Sequence, residues 1–156
     1  MSREEMVEMT SAPRALEMGI VVKDLEAMSA FYRGALGCRH IVDLEAGVGL
    51  MRRFACGDAQ IKMLSPREPL HGSNPEGGAR AGLSGLRWFS ITIDADLEQT
   101  LERCLAHGAH LVVPITGAYP GGPRYMVIED LEKNWFEILD GDVSYDAFET
   151  VRSADD

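Results

Sequence analysis

The chain has 156 residues and 17.1 kDa, with 46% hydrophobic and 26% charged residues, and its 25 acidic against 15 basic side chains give a net charge of −10. That length buries one ordinary core or two small fused modules. The acidic balance repels polyphosphate backbones and anionic lipid surfaces, and no stretch reaches the 18 or so apolar residues of a helical span, so neither nucleic acid nor membrane is expected as a partner.

The opening "MSREEMVEMTSAPRA" is charged and has no apolar core of the secretory type, which sets a cytoplasmic location as the expectation. Residues 1–13 read as an extension. Then "LEMGIVV" alternates in the manner of a strand, and "DLEAMSAFYRGALG" carries Leu25, Met28, Phe31, Tyr32 and Leu36 at helical spacing, with Asp24 as a natural N-cap and Gly37 as the stop. Segments 38–44, 48–55 and 59–64 read as short strands, the last two joined by the Gly-Asp turn of "CGDAQ". The first module therefore runs over 14–64 in the order β-α-β-β-β. Cys38, Cys56 and Cys104, an odd number at spacings unlike a zinc knuckle, are expected to be reduced, buried thiols.

Residues 65–85, "SPREPLHGSNPEGGARAGLSG", are rich in Gly, Pro and Ser, have no apolar period and read as a linker. A second copy of the pattern follows over 86–140. "SITIDADLEQTLERCLAHG" repeats the strand, the Asp-Leu-Glu start and the helix ending in glycine, with Asp96 as N-cap and Gln99 three positions on. "AHLVVPI", "RYMVIED" and "NWFEILD" are its three further strands. Residues 141–156 form a second extension, in which "SYDAFETVR" reads as a short docking helix.

A strand's two-residue period decides which side chains share a face. Met18, Ile20 and Val22 point to the helix, leaving Glu17, Gly19, Val21 and Lys23 opposite; in the second copy Phe89, Ile91 and Ile93 face inward and Trp88, Ser90, Thr92 and Asp94 outward. Aligning the closing strands "QIKML" and "WFEIL" pairs Lys62 with Glu137. Four repeat-related positions emerge: Glu17, Lys62, Trp88 and Glu137. For Trp88, a place in the core and a role as stacking platform for a flat ligand both fit.

"GIVVKDLEAMSAFYRGALG" and "IEDLEKNWFEILD" resemble the opening and closing motifs of the vicinal oxygen chelate superfamily, the group of glyoxalases, bleomycin-resistance proteins and extradiol dioxygenases. The resemblance covers about residues 15 to 140. It implies an α+β fold of two tandem βαβββ modules whose curled mixed sheets line one shared cleft, frequently in a homodimer. It also implies a ligand position on the first and last strand of each module, and these fall on Glu17, Lys62, Trp88 and Glu137. An ammonium and an indole cannot coordinate a divalent ion, so the expectation is a cleft with no metal and no other cofactor.

A carboxylate on an apolar strand then needs another counter-charge, and a Glu17, Lys62, Glu137 cluster is expected to supply it. These three are the candidate catalytic residues; Trp88, Ser90, Thr92, Tyr119 and Tyr125 are the candidate ligand-binding residues, with "YPGGP" at 119–123 as a rim. His40, His71, His107 and His110 are scattered and show no metal spacing. Three functions remain open. One is a metal-free protein that binds or sequesters a small organic molecule, flat and cationic in the simplest case, as resistance proteins do. Another is a metal-independent isomerase, lyase or cyclase in which Glu17 or Glu137 removes a proton alpha to a carbonyl and Lys62 steadies the oxyanion. The last is a metal-dependent enzyme of glyoxalase or epimerase type.

Overall fold

The alternation around Glu17 does make a strand: β1 spans Glu17–Val21, with Ile20 buried and Glu17, Gly19 and Val21 exposed. The computed structural model describes residues 15–144, and the first extension and almost all of the expected docking helix lie outside the described residues. After β1 come α1 (Leu25–Leu36), β2 (Arg39–Ala46), β3 (Gly49–Cys56) and β4 (Ala59–Pro66). The second run is β5 (Trp88–Thr92), α2 (Leu97–Ala106), β6 (His110–Gly117), β7 (Arg124–Glu129) and β8 (Trp135–Leu139). The order β-α-β-β-β thus occurs twice, giving the α+β fold of two tandem βαβββ modules. Strand β4 runs past the expected end at 64 because Ser65 and Pro66 stay in register with Leu50 and Gly49.

The local signals act as expected. The Asp96 carboxylate accepts a hydrogen bond of 2.8 Å from the backbone N–H of Gln99 and so caps α2. Gly37 and Gly108 follow the two helices at φ +70° and +95°, values that a side chain disfavours. In each sheet the first strand of a module lies parallel to its last, which needs a crossover, and the helix supplies it. The strand orders are β1-β4-β3-β2 and β5-β8-β7-β6, with the remaining pairs antiparallel.

By packing, the described chain forms two units. The first holds β1 to β4 and buries Ile20, Val22, Phe54, Ile61 and Met63. Here the expectation of three reduced thiols fails: Cys38 and Cys56 form a disulfide, their Cα atoms 4.7 Å apart. The reason is register. Arg39 pairs with Ala55, so the residues just beyond them on the two antiparallel strands face each other. Cys104 remains a buried free thiol, and burial pushes its pKa up to about 11.

The second unit contains α1 together with β5 to β8 and α2. Phe31 and Tyr32 of α1 set their rings 6.3 and 6.0 Å from that of Phe136 on β8, and Phe89 of β5 stacks on Phe136 at 5.5 Å. The Tyr32 hydroxyl donates 2.9 Å to buried Asp130, whose carboxylate also accepts from the backbone N–H groups of Glu132 and Asn134. This carboxylate ties the β7–β8 turn to the helix. Burial pushes both the Tyr32 hydroxyl and the Asp130 carboxyl above their ordinary pKa values. Tyr32→Phe removes one acceptor's partner in a dry site and is expected to lower stability by about 1–3 kcal/mol in a urea titration; no change would show that Asp130 is satisfied without it.

The Gly/Pro-rich segment is more ordered than a featureless linker. A 3-10 turn at Gly78–Arg80 lies on Trp135: the Arg80 guanidinium sits 5.7 Å from the indole centre, and Gly78, at φ +45°, leaves no room there for a Cβ. Asn74 donates 2.9 Å to the Lys133 carbonyl, and Lys133 pairs with Glu76 at 2.5 Å.

Candidate functional site

Parity and register together place one polar row on the exposed face of the first sheet. Glu17 lies opposite Gln60, Gly19 opposite Lys62, and Lys62 opposite Arg53. Lys62 Nζ sits 2.5 Å from Glu17 Oε2. Arg53 Nη2 donates to both Glu17 oxygens at 3.0 and 2.9 Å, while its Nε and Nη2 hold Gln60 Oε1 at 3.1 and 2.7 Å. The hydrogen bond from Lys62, aided by Arg53, holds the Glu17 carboxyl below the usual carboxylate range.

Glu17 and Lys62 are therefore brought together as expected of them. Arg53 and Gln60 went unnoticed in the sequence, although counting outward from the Gly57–Asp58 turn, with Cys56 opposite Ala59, puts Arg53 across from Lys62. The next row on this face is apolar: Val21, Leu64, Met51 and Leu44 follow one another in register across four strands.

In the second unit Glu137 lies between Ser90 and Val127. Among the described residues Glu137 has no hydrogen-bond or ion-pair partner, and its burial pushes its carboxyl pKa up. Trp88 begins β5 as Glu17 begins β1, and it is 52% exposed, which answers the choice left open: Trp88 is not a core residue, whereas Phe89 is the ring turned inward. Ser90 and Thr92 are exposed beside it, and Thr92, Leu139 and Tyr125 form the following row. Tyr119 stands apart from these strands in the β6–β7 loop, where its hydroxyl accepts 3.0 Å from the Ser144 N–H. The histidines take other partners, His40 with Asp43 at 2.8 Å and His107 Nδ1 with the Arg103 carbonyl at 2.7 Å.

Residues 14–138 match the Glyoxalase/Bleomycin resistance protein/Dioxygenase superfamily. The chain belongs to that superfamily. No curated protein matches it. Solved structures with the same fold include the fosfomycin resistance protein FosX from Mesorhizobium loti, at 22% identity and a TM-score of 0.60, covering 92% of this chain and 99% of the other. FosX from Listeria monocytogenes aligns at 16% identity and a TM-score of 0.67, over 88% and 99% of the two chains. A variant of the Listeria protein complexed with Mn(II) and 1S,2S-dihydroxypropylphosphonic acid aligns at 18% identity and 0.58, over 85% and 94%.

The metal of metal-dependent superfamily members finds a poor donor set here. Of the four repeat-related positions, Lys62 offers an ammonium and Trp88 an N–H donor. Glu17 is a carboxylate whose two oxygens already accept from Lys62 and Arg53. Among the described residues no group of three or more His, Cys, Asp and Glu side chains could hold a metal ion. A catalytic divalent site normally takes three protein ligands, and these residues do not fit one.

Proposed function

We propose that this superfamily member binds a small organic molecule without a divalent metal, as a ligand-binding or resistance protein. One observation carries the reading: where metal-dependent relatives place ligands, Glu17 is neutralised by the Lys62 ammonium and the Arg53 guanidinium. Two fixed cations supply the positive charge that an ion would otherwise bring, and both carboxylate oxygens already accept from them, in competition with coordination. The neighbours support the resistance part of the reading alone, since FosX is a fosfomycin resistance protein, and a variant of the Listeria protein is itself complexed with Mn(II). Trp88, Ser90, Thr92, Tyr119 and Tyr125 complete the proposed ligand-binding set, with an exposed indole as platform.

The proposal includes the homodimer and the cytoplasmic location expected from the sequence. Nucleic acid and membrane are not partners in it: the chain carries a net charge of −10, and no helix among the described residues is long and apolar enough to cross a membrane.

Titration of chelator-treated protein with Mn(II), followed by calorimetry, tests the metal-free reading. No saturable binding tighter than about millimolar is expected, because a lone buffered carboxylate is a weak site. Stoichiometric micromolar binding would restore the metal-dependent glyoxalase or epimerase alternative.

A second reading rests on Glu137. A partly buried carboxylate with a raised pKa and no partner among the described residues suits a general base, in a metal-independent isomerase, lyase or cyclase acting alpha to a carbonyl. Turnover that collapses in Glu137→Gln while ligand affinity survives would favour it over simple binding.

A further inference from the structure

We infer that the exposed face of the first sheet, over Gly19, seats an anionic head group carried on an apolar body: a carboxylate, phosphonate or sulfonate with a short hydrocarbon part. The inference deepens the metal-free binding reading and rests on it.

Charge is the first reason. Lys62 and Arg53 bring two positive groups to this patch and Glu17 one negative group, and both cations touch the same carboxylate oxygen, so they are immediate neighbours. A net positive patch on a chain of net charge −10 is a specific local choice rather than a consequence of composition. A cationic ligand, the simplest guess from the sequence, would meet repulsion on this face.

Donor count is the second. Lys62 has three N–H groups, of which Glu17 engages one. Arg53 spends Nε and Nη2 on Gln60 and Glu17, and among the described residues its Nη1 has no partner. Gln60 and Glu17 thus fix the guanidinium plane while the two N–H groups of Nη1 stay available as charge-assisted donors to an anion.

Shape is the third. Gly19 stands in register beside Lys62, on the same face, and a Cβ built there meets nothing within 4 Å. The strand therefore has a notch between Glu17 and Val21, at the position paired with Lys62, whose ammonium is held by the neighbouring Glu17 carboxylate. The apolar row of Val21, Leu64, Met51 and Leu44 adjoins the polar one, with Val21 53% and Leu44 44% exposed. An anion in the notch would lay its hydrocarbon along that row, and burying the row gives such a ligand its apolar affinity.

The test uses four probes with one apolar body: octanoate, octylphosphonate, octan-1-ol and octylammonium, titrated by calorimetry into the full chain. Octanoate and octylphosphonate are expected to bind at least about tenfold more tightly than the alcohol, and the ammonium more weakly still, as a charge-assisted contact requires. Lys62→Met keeps the stem and removes the charge, and is expected to erase the preference for the anions. Gly19→Val projects into the notch from a Cβ that meets nothing within 4 Å and should abolish anion binding with the melting temperature kept or raised, since valine suits a strand better than glycine. Equal binding of all four probes, no anion binding up to about 10 mM, or unchanged affinity in Gly19→Val overturns the inference. Stoichiometric Mn(II) binding instead overturns the metal-free reading beneath it, so the two failures are distinguishable.

Discussion

Phe136→Ala is expected to lower the unfolding free energy by about 3–5 kcal/mol, a large share of the roughly 5–15 kcal/mol that holds a native domain. Phe136 is fully buried, and three rings meet on it: Phe31 and Tyr32 from α1, and Phe89 from β5. Truncation opens a cavity that helix, strand and sheet would all have to move to fill, and each lost aromatic pair adds roughly 0.5–1.5 kcal/mol beyond its area. Urea denaturation monitored by circular dichroism reads the effect. Phe136→Leu, which retains most of the volume, should lose clearly less. A loss below about 1 kcal/mol for the alanine variant would mean that α1 is not held to the second sheet by this ring.

Reduction of the Cys38–Cys56 disulfide should destabilise the first unit by about 3 kcal/mol, the loop-closure value for cysteines 18 residues apart. The bond joins the residue before β2 to the end of β3, three positions from Arg53, so its loss should also loosen the strand that presents the guanidinium. Thiol titration of the denatured, non-reduced protein is expected to find one reactive group, Cys104, and three after reduction. Cys56→Ser should melt at the temperature of the reduced protein. Three thiols before reduction would restore the expectation drawn from the sequence, and the melting difference would vanish with it.

Fosfomycin resistance proteins share the fold at 22% identity and below, which establishes architecture alone. Chemistry has to come from the side chains. Under the proposed metal-free reading the difference between this chain and a metal-dependent relative lies in the donors: Lys62 and Trp88 offer no lone pair to an ion, and both Glu17 oxygens already accept from cations.

Much of this was legible in the sequence because the signals are local. The repeat, the strand parity that separates Glu17 from Ile20 and Trp88 from Phe89, the Asp96 cap and the glycine stops each depend on neighbours within a turn or two of chain. The meeting of Glu17 with Lys62 was expected through the family resemblance, which implies site positions on the first and last strand of each module, and the parallel pairing of β1 with β4 delivers it. What only the tertiary structure decided is which distant residues become neighbours. Arg53, which its hairpin sets across from Lys62, reaches Glu17 only once β1 docks on β4, Cys38 finds Cys56 across two antiparallel strands, α1 turns its rings to Phe136, and the Gly78 turn settles on Trp135. Period and capping specify how a segment is shaped and which side it buries, whereas a contact between segments depends on the whole chain closing at once, and no local pattern records that.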